Sequence, residues 1–385
     1  MPTKYAVIST DDHAWENRDT WTSRVPARFR EGCPQVKREN GIDYWVYAGQ
    51  TIRALGTGCA AMRPDRDPVK TWEEVPAAAY DPAARLDAMD QDGVGAEVLF
   101  PQAAGFGGGP FAASSGDPEL RLACIRAYND WLAEEWSDLS PRYIAQALVP
   151  IWDVGLAVEE LRRAHGLGHR ALVWTSAPES FGFPHFNERY WEPLWSVLED
   201  LEMPVALHIG SARELTEPWE GFSTMRKLSM ISTFAITSNL QVMANLLLSG
   251  ILERHPRLRF ISVESGLGWV PYLLETVDHQ FEAQRLWKDG MSLKPSEYFH
   301  RQCYVNFWYE VHGIAQRDVI GVDNILWEAD FPHPTSTYPE SRKLIADCLA
   351  GVADEDRYKM LHANAVRVYG IDGEAITAAA AKALA

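Results

Sequence analysis

The stretch "STDDHAWE" sets Asp11 and His13 two residues apart, just after a short apolar run. In extended backbone, residues two apart point to the same side, so both side chains can face one cavity. The same pairing of an apolar run with a ligand-type residue recurs along the chain. "PVALH" ends in His208 and "RFISVE" in Glu264; "CYVNF" leads through "WYE" to Glu310; "NILWEADFPH" carries Glu328, Asp330 and His333. Imidazole nitrogens and carboxylate oxygens collected at one rim form a ligand set for a divalent transition metal such as Zn, Mn or Fe. Without a cation, several carboxylates crowded there would repel one another and raise each other's pKa values. Glu264, a charge at the end of an apolar strand, needs such a partner most plainly. A lone histidine at a strand end is more often a hydrogen-bonded core residue than a ligand, and "DFPH" alone would pass for a turn. Coincidence across four runs, at the same end of each, favours the metal. Asp11, His13, His208 and Asp330 form the expected set, joined by Glu264. Glu310, Glu328 and His333 are divided between second-metal ligands and hydrogen-bonding support for the ligands.

Other chemistries lack their residues. No G-x-S-x-G elbow is present, and no cysteine sits in a catalytic signature. The loop "PQAAGFGGGPF" has neither phosphate-binding glycine pattern, so it carries no nucleotide expectation. Trp15 and Trp269 flank proposed ligands and could line a pocket, and Arg213 and Arg226 follow His208 and could hold an anionic substrate group; packing and ordinary surface charge are the plainer readings for them.

Eight apolar runs have to position these residues: Tyr5–Ser9, Ala96–Phe100, Ile144–Pro150, Ala171–Trp174, Pro204–His208, Arg259–Glu264, Cys303–Phe307 and Asn324–Glu328. Their near-continuous apolarity suits strands covered on both faces, as in a parallel sheet. Helical patterns intervene, including "DPELRLACIRAYNDWLAEEW", which opens with Asp117 as an N-cap and Pro118 at the first helical position. Eight strands alternating with helices, without a break in composition, predict a single α/β unit over 1–385, a distorted (β/α)8 TIM barrel. The exception is 14–83, a long insertion after the first strand, rich in tryptophan and proline, read as an irregular lid or loop over the barrel mouth.

The chain has 385 residues, with 36 basic against 53 acidic side chains and a net charge of −17. That balance argues against nucleic acid or an anionic membrane as a partner. No apolar run approaches the roughly 18 residues of a membrane span, and the N-terminus shows no signal-peptide pattern. The five scattered cysteines suggest free thiols in a reducing compartment, so a cytoplasmic protein is expected.

With these residues in place, the chain resembles the amidohydrolase-related branch of the amidohydrolase superfamily along nearly its whole length. The resemblance rests on "STDDHAWE", "RYWEPLWSVLEDLEMPVALHIGS", "ESGLGWVPYLLE", "GVDNILWEADFPHP" and "NAVRVYGI", in that order. It implies one or two divalent metals at the C-terminal ends of the strands. By motif, Asp11 and His13 are similar to the first-strand metal pair and His208 to the fifth-strand ligand. Asp330 is similar to the eighth-strand aspartate that binds metal and handles a proton. The departure is Glu264, where many relatives, decarboxylases among them, carry a histidine; a carboxylate can bridge two metals but cannot act as a neutral imidazole does. The lysine that hydrolytic members often carry on the fourth strand is also missing from "ALVWTSA".

The leading expectation is therefore O2-dependent hydroxylation at a dinuclear non-haem iron centre, Fe/Fe or Mn/Fe, with Asp330, Glu264 and His208 as catalytic residues. The alternative is a Zn- or Mn-dependent hydrolase or non-oxidative decarboxylase, and the third a catalytically silent metal-bearing partner subunit. The resemblance implies a small organic, acidic substrate and an oligomer with identical or related subunits.

Overall fold

A computed structural model describes residues 4–56, 58–114, 116–211 and 220–381. Eleven strands are formed among them: β1 (Ile8–Ala14), β2 (Gln35–Glu39), β3 (Ile42–Tyr47), β4 (Gln50–Ala54), β5 (Ala96–Pro101), β6 (Tyr143–Ala147), β7 (Ala171–Trp174), β8 (Val205–His208), β9 (Phe260–Val263), β10 (Cys303–Phe307) and β11 (Ile325–Trp327). Eight of them make one sheet in the order β1-β5-β6-β7-β8-β9-β10-β11, every paired neighbour parallel. Helices connect successive strands, among them Pro118–Trp131, Val154–Gly166, Glu192–Asp200, Thr224–Leu248 and Val270–Gln284. The expected (β/α)8 barrel is observed. Its strands are buried on both faces, which is why they read as unbroken apolar runs.

The ring closes by a seam rather than a ladder. β1 and β11 share no strand register; instead Thr10 Oγ1 donates to the Trp327 carbonyl at 2.9 Å, and the Ala329 amide to Ser9 Oγ at 2.8 Å. Just beyond, the Asp330 amide donates to the Asp11 carbonyl at 2.9 Å and the His13 amide to the Phe331 carbonyl at 2.7 Å. The register of β1 against β5 slips between Ser9 and Asp12, a bulge that lets the strand turn its later residues inward.

Two expectations are corrected here. The first strand is Ile8–Ala14, not Tyr5–Ser9, so Asp11 and His13 lie within it and are wholly buried. Tertiary pairing with β5 overrides the weak strand propensity of "TDDH". The 14–83 connection is also not irregular: β2, β3 and β4 form an antiparallel meander. Its two-residue turns, Asn40–Gly41 (φ 51° and 78°) and Ala48–Gly49 (φ 50° and 77°), sit in the left-handed conformation that matches strand twist in tight hairpins. Trp21, Trp45, Trp72 and Trp15 pack in a chain beneath it, with ring centroids 5.3, 6.2 and 6.4 Å apart. The insertion reaches the C-terminal ends of the strands: the Ala61 amide donates to the Pro332 carbonyl, Arg66 to the Pro334 carbonyl and Arg53 to the Gln102 carbonyl.

Among the described residues one helix, Met225–Leu248, is long and apolar enough by length and composition to cross a membrane. No unbroken apolar run marks it in the sequence, because Ser, Thr, Asn and Gln interrupt its apolar residues. Its C-terminal half is an ordinary barrel helix, with Val242, Met243, Leu246 and Leu247 buried in the core.

Candidate metal centre

β1 alternates as an extended strand should. Asp11 and His13 face the barrel interior, whereas Asp12 turns away and accepts the Phe331 amide at 2.9 Å. Behind the strand lies Arg85, fully buried, bonded to Glu97 at 2.9 Å and donating to the carbonyls of His13 and Ala78 at 2.5 and 2.6 Å. His208 ends β8. Its Nδ1 bonds the Ile209 carbonyl at 2.7 Å, and a carbonyl only accepts, so Nδ1 carries the proton and Nε2 presents its lone pair. That lone pair stands 3.4 Å from Asp11 Oδ1 and 3.6 Å from Glu264 Oε2. His13 Nε2 is 3.6 Å from Asp11 Oδ1 and 3.2 Å from Asp330 Oδ1.

Glu264, directly after β9, and Asp330, three residues beyond β11, are both in a left-handed conformation, φ 53° and 56°. Such strain costs on the order of 1–3 kcal/mol per non-glycine residue and is kept where surroundings fix it. Here the fixing bonds are visible. The Glu264 amide donates to Glu328 Oε2 at 3.2 Å, and the Asp330 carboxylate accepts from His333 Nδ1 at 2.7 Å and from the Thr335 hydroxyl.

Three overlapping groups bring ligand atoms within 4.8 Å of one another: Asp11, His13 and His208; His13, Asp330 and His333; and Asp11, Glu264 and Asp330. Both carboxylate oxygens of Asp11, both ring nitrogens of His13 and Nε2 of His208 are buried without a hydrogen-bond partner. Orphaned polar atoms of this kind are rare in folded proteins, and a cation would satisfy the Asp11 oxygens, one His13 nitrogen and His208 Nε2 together. The donor set of mixed nitrogen and oxygen fits a divalent transition metal.

Electrostatics point the same way. Burial, reinforced by Asp330, pushes the Asp11 carboxyl well above the usual range, and burial with Asp330 does the same to Glu264. Burial also raises Glu328, with Asp11 adding to it. Burial works against the Asp330 carboxylate as well, but His333 and His13 beside it outweigh that and hold it ionised, below the usual carboxylate range. Burial lowers both His13 and His208, keeping the imidazoles neutral and able to donate lone pairs.

A pH dependence follows. For Asp11 and Glu264 the native pKa lies above the unfolded value. In the metal-free chain their contribution to stability is therefore complete below about pH 4 and lost as pH rises through the native pKa. A divalent cation held by Asp11 displaces the Asp11 proton, whereas Glu264, outside that ligand set, keeps its own. The rise in Tm on adding Mn or Zn is expected to be larger at pH 8 than at pH 5, measured by differential scanning fluorimetry. An equal rise at both would mean that the cation binds elsewhere.

The structure sorts the other expected residues. His333 joins the centre, its ring centroid 3.8 Å from that of His13. Glu328 lies outside the three groups; it is wholly buried and serves the Glu264 amide. Glu310 also lies outside the three groups. Its carboxylate is taken by the amides of Leu267 and Trp308, both at 2.9 Å, and of Tyr309 at 3.3 Å. It thereby braces the turn after Glu264, where Gly266 (φ 67°) leaves room that a Cβ would fill at 2.5 Å from Glu310. Trp269 supports the same turn, Nε1 donating to the Ser265 carbonyl at 2.8 Å. Trp15 belongs to the buried tryptophan chain beneath the meander. Arg226 sits exposed in the first turn of its helix, stacked over Phe222 at 4.2 Å, and Arg213 lies outside the described residues.

Two contributors were not foreseen. Phe106, from the glycine loop after β5, stacks on His208 with centroids 3.7 Å apart and 19° between planes. Gly105, Gly107 and Gly108 supply the positive φ angles that turn the loop inward; one aromatic among glycines was the only signal. Asn239, on helix Thr224–Leu248, donates to the carbonyls of Leu207 and Val263 at 2.8 and 3.2 Å, each one residue before a ligand. Nothing in the sequence singles it out.

A family model described as amidohydrolase matches residues 19–371. The chain is 28% identical over 308 residues to gamma-resorcylate decarboxylase of Rhizobium sp. (strain MTP-10005), spanning 75% of this chain and 87% of that one. An amidohydrolase structure from Mycobacterium avium subsp. paratuberculosis K-10 superposes with a TM-score of 0.75 at 21% identity, covering 96% of this chain and all (100%) of that one. A dihydroxybenzoic acid decarboxylase from Polaromonas sp. JS666, solved with manganese and 2-nitroresorcinol, gives 0.65 at 20% identity, covering 95% and 97%.

Proposed function

Because the chain belongs to the amidohydrolase family, we propose that it is a metal-dependent, non-oxidative decarboxylase of a small aromatic acid, a hydroxybenzoate in the first instance. Asp11, His13, His208 and Asp330 would hold a divalent ion, Mn or Zn. That ion would supply Lewis acidity, binding substrate oxygens and drawing charge from the ring. The observation that carries the reading is Glu264, a buried carboxyl among carboxylates, 3.6 Å from His208 Nε2 and pushed to hold a proton by burial and Asp330.

Protonated at Oε2, Glu264 is a general acid where the resemblance implies an imidazole. It gives its proton to the ring carbon bearing the carboxylate. The bond from that carbon to the carboxylate then breaks, its electron pair returns to the ring, CO2 leaves, and Glu264 recovers a proton from water. Asp330, kept ionised by His333 and Thr335, fixes the floor of the site. Phe106 and Phe100, 3.7 and 4.9 Å from the His208 ring, keep water from that side. The 14–83 insertion, seated on the loops after β5 and β11, closes the mouth. The reading is also supported by curated relatives described as decarboxylases.

A second reading, hydroxylation by O2 at two irons, rests on one observation: Asp11, Glu264 and Asp330 bring three carboxylates within 4.8 Å, beside a second group sharing Asp330. An anaerobic assay separates the two. The Mn- or Zn-loaded chain should release one CO2 per arene from 2,6-dihydroxybenzoate or a related hydroxybenzoate, with a deuteron from D2O at the vacated carbon. Turnover only in the presence of O2, with iron bound, would overturn the decarboxylase reading.

A further inference from the structure

We propose, on the reading of His208 as a metal ligand, that Glu16 is a positioning residue: it fixes the glycine loop after β5 so that Phe106 stays stacked on the His208 ring. Glu16 lies two residues beyond β1, is 1% exposed and belongs to none of the three ligand groups. A carboxylate so deeply buried has to be compensated. Two consecutive main-chain amides do this: Oε2 accepts from Ala103 at 2.7 Å and Oε1 from Ala104 at 3.0 Å. Neither amide has a main-chain acceptor among the described residues. The carbonyl just before them, that of Gln102, accepts from Arg53 at 2.7 Å. Three successive residues at the root of the loop are therefore held from outside it.

The loop needs that hold. Residues 105–109 read Gly-Phe-Gly-Gly-Gly, and Gly105, Gly107 and Gly108 take φ angles of 69°, 64° and 70°. Glycine visits positive and negative φ about equally, so such a stretch sets no conformation of its own. Its path crosses the barrel mouth. Gly107 lies against the end of β7, where a Cβ would stand 2.9 Å from the Thr175 amide nitrogen. Phe106 reaches β8 and stacks on His208, centroids 3.7 Å apart and planes 19° apart.

His208 is thereby held in two ways. The Nδ1 bond to the Ile209 carbonyl fixes one point of the ring, and the stack fixes its plane. Together they aim Nε2 between Asp11 Oδ1 and Glu264 Oε2, at 3.4 and 3.6 Å. Glu16 acts on this imidazole through Phe106, and so couples the strand carrying Asp11 and His13 to the one carrying His208. The role calls for a carboxylate. A glutamine has one acceptor oxygen, and its NH2 would face an amide N–H donor to donor. An aspartate keeps both oxygens but falls one methylene short.

The test is the His208 Cε1–H resonance of the full chain, recorded with 13C-labelled histidine, without added metal and again with Zn. A stacked ring shields that proton, so Phe106→Leu, which removes the ring, marks the unstacked position downfield of the native one. Glu16→Gln is expected to move the resonance towards that position and to slow decarboxylation by about 10²-fold, the cost of a misplacement of about 1 Å. Adding Phe106→Leu to Glu16→Gln should cost no more than the larger single loss, because both changes act through one ring. A native resonance in folded Glu16→Gln would overturn the proposal, as would losses that simply add. If Glu16→Gln does not fold, Glu16→Asp is read in the same way. If neither folds, the native chain decides: the Ala103 and Ala104 amides should exchange with D2O as slowly as those of β5, and exchange at the rate of an open loop would overturn the proposal. The resonance shift without any decarboxylation would support Glu16 in this role and count against the decarboxylase reading alone.

Discussion

Asp11→Asn is expected to stabilise the metal-free protein and to abolish its use of metal. Both Asp11 oxygens are buried without a hydrogen bond, and burial together with Asp330 already raises its pKa. A neutral amide of the same shape removes the cost of holding that charge, on the order of 1–3 kcal/mol. The amide is a poor ligand, and the loss of bound metal forfeits several kcal/mol of transition-state stabilisation, about 10³-fold or more in rate. Native protein at 100-fold metal excess over Kd gains about 2.7 kcal/mol from binding, and the variant should gain almost none. The two Tm curves should therefore cross: variant above native in chelator, native above variant in Mn or Zn. A structural carboxylate would give one sign in both conditions. Unchanged metal content in the variant would remove Asp11 from the ligand set.

Glu264→Gln separates the two chemistries. If Glu264 is the proton donor, the glutamine keeps the shape of the site and leaves metal content unaltered. Turnover should then fall by about 10²–10⁴-fold, the usual contribution of a positioned acid, and the limb of the pH profile belonging to this group should vanish. If Glu264 instead completes a second metal position, bound metal should drop from about two per chain towards one, with O2 consumption lost. Metal quantification beside the rate decides. Full activity in the variant would sink both roles.

What the sequence revealed, and what it hid, divides along physical lines. The barrel was legible because strands buried on both faces must be apolar throughout, and eight such runs have few other uses. The residues gathered at the candidate centre were legible because a carboxylate or imidazole ending such a run has no cheap explanation. The true extent of β1 was hidden, since "DDH" carries no strand propensity and is held extended only by β5 and the seam. The meander has one clear local signal, the Asn40–Gly41 hairpin turn, set among residues with no strand alternation long enough to stand out. Glu310 stood open between ligand and support because its type and place suit either; only the folded turn shows its oxygens bonded to backbone amides. Phe106 and Asn239 act across the barrel, through contacts that no local pattern encodes.

The seam between β1 and β11 governs when this protein can first work. Asp11 and Asp330 are joined there by a main-chain hydrogen bond, although they stand 319 positions apart in the sequence. A ribosome adding about 5–20 residues per second needs roughly 15–65 s to pass from the first ligand to the last. Throughout that interval β1 offers an open edge, and the nascent chain holds only part of the ligand set. Metal capture thus waits until the chain has been made through Asp330. Chaperones that shield an unpaired edge, rather than early metal delivery, would govern the yield of active enzyme in a producing cell.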